Sequence, residues 1–114
     1  TIVDTELFGP VLAVQRFTTE AEAIELANDT KHGLAAGLFT RDGARQIRMA
    51  KKLKSGMVWV NTYRMISPIA EFGGVKTSGH GREAGLQAMY DYTRAKTIWI
   101  NLSDEPIANP FQPR

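Results

Sequence analysis

Residues 71–85, EFGGVKTSGHGREAG, hold five glycines in fifteen positions. Within them, Gly79-His80-Gly81-Arg82-Glu83-Ala84 matches the spacing G-x-G-x-x-G/A. That spacing cradles a dinucleotide pyrophosphate when it joins a strand to a helix. Here the residues before it, Glu71 to Ser78, read as loop, and no suitably placed acidic residue follows a second strand; Asp104 falls in a proline-rich tail. The glycines are instead expected to let a long loop turn tightly and approach other backbone closely. His32 and His80 are the only histidines, and neither has a partner at metal-ligand spacing, so no metal site is expected. Ser78 lies near His80 without the surroundings of a nucleophile elbow. The chain has no cysteine, which excludes a thiolate nucleophile, a thiolate metal site and a disulfide within these residues. Glu6 and Phe8, ahead of Gly9-Pro10, set a carboxylate beside an aromatic ring. Such a pair suits a polar ring ligand, or equally a capped loop with Phe8 in the core.

The elements that must position these residues follow from patterning. At 114 residues, 43% apolar and 23% charged, the chain has the size and composition of one small globular domain. No apolar run reaches the ~18–20 residues of a membrane-spanning helix, and the first residues show no basic segment followed by an apolar one. A soluble, reducing, cytoplasmic setting is expected, with no membrane partner. Val11–Phe17 reads as a strand. Thr19, with Glu22 three residues on, opens a helix that Asn28-Asp29-Thr30 and Gly33 end. Leu34–Thr40 reads as a second strand, apolar on both faces as in a covered parallel sheet. Thr40 or Asp42 caps a helix over about 42–53, with Ala44, Ile47, Ala50 and Leu53 facing inward. Met57–Asn61 is a third strand. The result is α/β: a βαβαβ run with parallel strands. A long loop follows, from Thr62 to about Gly81, of a length that usually signals function. A helix over about 82–90, a strand over 95–102 and a tail with Pro106, Pro110 and Pro113 complete the chain. The second helix is basic, with Arg41, Arg45, Arg48, Lys51, Lys52 and Lys54 on or beside it. It lacks the interleaved aromatics of a single-strand binder, so a solvated face is expected and no nucleic-acid partner.

Five segments taken together resemble the C-terminal part of the NAD(P)-dependent aldehyde dehydrogenases: ELFGPVLAVQRF (6–17), AIELANDTKHGLAAGLFTRD (23–42), GMVWVNTYR (56–64), FGGVKTSGHGREAG (72–85) and YTRAKTIWI (92–100). They run in order along nearly the whole chain. The resemblance implies a much longer parent enzyme that oxidises an aldehyde to a carboxylic acid. In that family a cysteine attacks the carbonyl, the thiohemiacetal gives hydride to the nicotinamide, and a general base directs water at the thioester. The cysteine, the general base and the Rossmann domain would lie upstream, so these residues alone are expected to be inactive. The resemblance assigns Glu6 to the nicotinamide ribose hydroxyls and Phe8 to the ring of NAD or NADP. It places Asn61 at the opening of the substrate-side loop, and Met65, Ile66 and Phe72 along the aldehyde tunnel. Glu71 stands where many relatives have proline, which alters the tunnel's edge. The implied layout is a partial catalytic domain over 1–93, an oligomerisation strand over 94–103 and a tail over 104–114, within a homodimer or homotetramer. The alternative is a stand-alone βα module that binds a partner or nucleic acid.

Overall fold

The computed structural model describes residues 2–106 and 109–112. Thr1 of the expected domain, and Ile107, Ala108, Pro113 and Arg114 of the expected tail, lie outside the described residues. The ordered centre is a β–α–β unit preceded by a helix. Helix α1 spans Glu20–Asn28, strand β1 Ala35–Leu38, helix α2 Gly43–Lys52 and strand β2 Met57–Val60. The two strands pair in parallel, in the register Ala35↔Met57 to Leu38↔Val60. A short helix, α3, spans Gln87–Tyr92.

Local chemistry explains each boundary. The Thr19 hydroxyl accepts the Glu22 amide at 3.2 Å, as the sequence predicts. The Glu22 carboxylate closes the box one residue earlier than expected, accepting from the Thr18 amide (2.8 Å) and hydroxyl (2.7 Å). Those bonds hold the Glu22 carboxyl below its usual range, the Thr18 amide contributing most. Asp42, not Thr40, caps α2, its carboxylate accepting the Arg45 amide at 3.0 Å. Asn28 joins the two helix ends: its amide nitrogen donates to the Lys52 carbonyl (2.9 Å) and its amide oxygen accepts from the Lys54 amide (2.7 Å). At the other end, the Glu20 carboxylate takes the Arg45 Nε at 3.1 Å and the Arg48 Nε at 2.6 Å.

Three expected elements come out differently. Residues 11–17 and 95–102 join no ladder among the described residues, so the described sheet has two strands where the patterning predicts three in the run and a fourth later. A strand needs a neighbour for its amides, and these segments find none; the Val11 amide turns back to the Gly9 carbonyl at 2.7 Å. The helix expected over 82–90 starts only at Gln87. Phe72 and Glu83 exchange two backbone hydrogen bonds of 2.7 Å, and Ala84 and Gly85 take φ of 57° and 64°, which no right-handed helix admits.

Burial is slight. Leu38, 8% exposed, is the one buried large apolar side chain among the described residues. The inward stripe expected on α2 is largely uncovered, with Ile47 exposed. The radius of gyration is 23.1 Å, against about 13 Å for a compact domain of this length. No helix of the described residues is long and apolar enough to cross a membrane.

The link between α1 and α2 carries a pH signature. The Arg48 guanidinium, then that of Arg45, lowers the Glu20 carboxyl from 4.5 to about 2. A lowered carboxyl pKa stabilises the folded pairing fully above the ordinary value, and the effect is lost as pH falls through the lowered one. The helix signal of the native chain is therefore expected to exceed that of Glu20→Gln above pH ~4.5 and to converge with it near pH ~2. Circular dichroism across that range checks this; a constant gap would contradict it.

Candidate functional site

Parallel strands in α/β proteins present ligand sites beyond their carboxyl ends. Here that edge is closed by Asn61. Its side chain accepts from the Thr40 amide (2.8 Å) and donates to the Thr40 carbonyl (2.9 Å), extending the β1–β2 pairing by a side chain. Asn61 itself sits at φ 54°, a left-handed conformation that asparagine tolerates better than most residues. The chain then turns sharply. The Trp59 indole donates to the Met65 carbonyl at 2.8 Å, and the Tyr63 ring meets Trp59 edge-on at 5.2 Å. Tyr63 also lies over Gly37, where a Cβ would come within 3.1 Å of its ring. Arg64, between Tyr63 and Met65, has φ 60°.

The expected site residues separate into two groups. Met65 and Ile66, each 66% exposed, stand on the turn just described. Phe72 is half-buried and fixed through its backbone to Glu83. Glu6 and Phe8 lie in a hollow of about 300 Å³ that Ile2, Leu7, Val11 and Ala13 help to line. Phe8 is 95% exposed at φ 51°, so it is not a core residue. Among the described residues the Glu6 carboxylate has no hydrogen-bond partner, and neither Glu6 nor Phe8 touches Asn61, Met65, Ile66 or Phe72 through a hydrogen bond or ring contact. A free carboxylate beside an exposed ring fits a vicinal diol attached to a flat heterocycle: two acceptor oxygens for two hydroxyls, and an apolar face for the ring.

The glycine loop carries residues that sequence reasoning missed. Gly33 is its anchor. The Gly33 carbonyl accepts from both the Gly56 amide (3.0 Å) and the Val75 amide (2.9 Å), and its own amide donates to the Ser78 hydroxyl (2.9 Å). A Cβ on Gly33 would sit 2.8 Å from Val75, and one on Gly56 would overlap the Gly73 carbonyl. Lys76, at φ 55°, extends its ammonium to the Asn28 and Thr30 carbonyls at 2.9 Å each, so the loop supplies the cation that the α1 C-terminus lacks in its own last turn. Thr77 binds the Lys31 carbonyl through its hydroxyl at 2.6 Å. Arg82 gathers the Gly74, His80 and Gly81 carbonyls with one nitrogen, at 2.8, 3.2 and 2.9 Å. The available signal was the density of Lys, Ser, Thr and Arg among the glycines, which are donors for carbonyls that a turning backbone leaves free. The loop forms no strand-to-helix phosphate cradle. His32 buries its Nε2 without a partner among the described residues.

The family model described as the aldehyde dehydrogenase family matches residues 1–98. The chain belongs to the aldehyde dehydrogenase family. Among relatives, the (Z)-2-((N-methylformamido)methylene)-5-hydroxybutyrolactone dehydrogenase of Acinetobacter baylyi is 57% identical over 109 residues, 96% of this chain and 22% of its own length. The NADP/NAD-dependent aldehyde dehydrogenase PuuC of Escherichia coli is 50% identical over 97 residues, 85% of this chain and 20% of its own. Among solved structures, PnpE from Pseudomonas sp. WBC-3 superposes with a TM-score of 0.84 at 44% identity, covering 96% of this chain and 22% of that one. PnpE in complex with nicotinamide adenine dinucleotide gives 0.84 at 45% identity, over 95% and 22%. The chain thus spans about a fifth of the length of the aldehyde dehydrogenases it matches.

The packing of Gly56 on Gly73 is testable. Gly56→Ala is expected to weaken the latched loop by about 1–3 kcal/mol, the usual cost of overpacking. Tryptic cleavage after Lys76 and Arg82 should then quicken roughly five- to 150-fold at protease concentrations where the loop opens and recloses faster than it is cut. Gly43→Ala, whose added Cβ meets nothing within 4 Å, should leave those rates unchanged. Cleavage followed by mass spectrometry reads both.

Proposed function

We propose that these residues are the nicotinamide-side and substrate-side walls of an NAD(P)-dependent enzyme that oxidises an aldehyde to a carboxylic acid. The observation that carries the reading is the unpaired Glu6 carboxylate beside the exposed Phe8 ring, inside the segment that matches the aldehyde dehydrogenases. Glu6 receives the two hydroxyls of the nicotinamide ribose, and Phe8 packs against the ring. NAD or NADP supplies the hydride acceptor. Asn61 fixes the start of the substrate loop to β1, while Met65, Ile66 and Phe72 give the aldehyde an apolar channel that keeps water from its carbon chain.

The covalent step needs a thiolate, and none of these 114 residues is a cysteine. A thiol nucleophile would therefore belong to residues beyond these, in the parent enzyme, and the family resemblance puts the general base and the domain that binds the rest of the cofactor there too. The expected layout follows: a partial catalytic domain over 1–93, a strand over 94–103 that completes a neighbouring subunit's sheet, and a tail over 104–114. The unpaired, exposed Ile98, Trp99, Ile100 and Leu102 support an intersubunit role, in a homodimer or homotetramer. Two of the basic residues on α2, Arg45 and Arg48, are engaged by Glu20, which reduces the charge open to a nucleic-acid partner.

Glu6→Gln in the full-length enzyme is expected to raise the KM for the dinucleotide on the order of tenfold, because each ribose bond then loses its charged acceptor. Steady-state kinetics with cofactor varied and aldehyde saturating tests this; an unchanged KM would remove Glu6 from the clamp. The 114 residues alone are expected to reduce no NAD or NADP in the presence of any aldehyde. Turnover by that polypeptide, followed at 340 nm, would overturn the division of labour.

A further inference from the structure

We propose that Arg64 sets substrate class by receiving a carboxylate at the end of the substrate remote from the aldehyde. The inference rests on the reading of residues 61–72 as the substrate wall. Arg64 is exposed, and among the described residues its guanidinium has neither an ion pair nor a hydrogen bond, whereas Arg45 and Arg48 are held by Glu20 and Arg82 by three carbonyls. Arg16, Arg41 and Arg94 are likewise free of ion pairs but lie outside this loop.

The backbone around Arg64 is strained and firmly held. Asn61 and Arg64 take φ of 54° and 60°. Side chains with a Cβ persist there only where the surroundings over-determine the turn, and such positions gather at functional sites. The surroundings here are the two hydrogen bonds between the Asn61 side chain and the Thr40 backbone, the hydrogen bond from Trp59 to the Met65 carbonyl and the edge-on Tyr63 ring. The held turn thus carries an exposed Arg64 directly before Met65 and Ile66 in the chain. The acid of the same loop, Glu71, does not neutralise it: Glu71 makes no ion pair and packs its stem where a Cβ on Gly85 would come within 2.7 Å. A planar fork of donors matches a carboxylate in geometry as well as charge. With the apolar Met65 and Ile66 following it on the same exposed turn, the arrangement suits a short aliphatic chain with an aldehyde at one end and an anion at the other.

The test compares kcat/KM of the full-length enzyme for a short ω-carboxylic aldehyde and for its methyl ester, with and without Arg64→Gln. The native enzyme is expected to favour the acid. Arg64→Gln should lower the acid-to-ester ratio on the order of ten- to a hundredfold, and Arg64→Lys should restore part of it. Added salt should depress the acid's kcat/KM more than the ester's, because screening weakens the attraction of a charged substrate to Arg64. Glu6→Gln, acting on the cofactor, should leave the ratio alone. An Arg64→Gln enzyme that loses both substrates equally would mean that Arg64 pairs with protein, and the proposal falls. A native enzyme that oxidises only the ester also overturns it while leaving the aldehyde dehydrogenase function standing. A native enzyme that oxidises neither that ester nor any other aldehyde overturns both.

Discussion

The backbone of Gly33 is the point on which the ordered part of this chain turns. One carbonyl accepts from two amides that come from distant stretches, Gly56 at the start of β2 and Val75 in the glycine loop. The amide of the same residue is taken by Ser78. Three segments that share little apolar contact are thereby tied together by polar bonds around a site too tight for any side chain. At this place close approach of backbone to backbone, and not side-chain packing, brings the segments together.

The shape of the stretch between β2 and α3 follows from that constraint. With β2 and the loop both held at Gly33, the carboxyl end of β2 is fixed by Asn61, and the far end of the loop by the Phe72–Glu83 pairing and the Arg82 Nη1 contacts. Among the described residues, five that are not glycine, Phe8, Asn61, Arg64, Lys76 and Ala84, adopt left-handed backbone. Four of them fall in the stretch between β2 and α3, and the fifth is the ring expected to meet the cofactor. Strain of this kind, about 1–2 kcal/mol per residue, is tolerated where hydrogen bonds specify the path.

Much of the centre was legible in the sequence because its causes are local. Thr19 and Asp42 act through the next few residues, and the apolar run 57–60 has its partner one helix away. The strands expected at 11–17 and 95–102 were read from alternation and β-branching, which report a side chain's preference and not the presence of a neighbour. The late start of α3 was hidden because a hydrogen-bonded bridge to Phe72, eleven residues back, outweighs helix propensity at Arg82–Leu86. The candidate site divides in the same way. Glu6, Phe8, Asn61, Met65, Ile66 and Phe72 could be picked out by family resemblance. Of the partners that hold the loop in place, Gly33 and Lys76 act over 45 and 48 residues of sequence, and Arg82 over eight, so the density of donors among the glycines is their only trace.

Trp59 has a bearing on how this molecule can be observed. Its indole nitrogen holds the Met65 carbonyl and its ring abuts Tyr63, while the second tryptophan, Trp99, stands almost wholly in solvent. One indole is therefore wired to the loop, and the other shares no hydrogen bond or ring contact with it among the described residues. Intrinsic emission quenched or shifted by movement at 61–66 would come from the first alone, so the chain carries its own optical gauge of that turn, with no dye required.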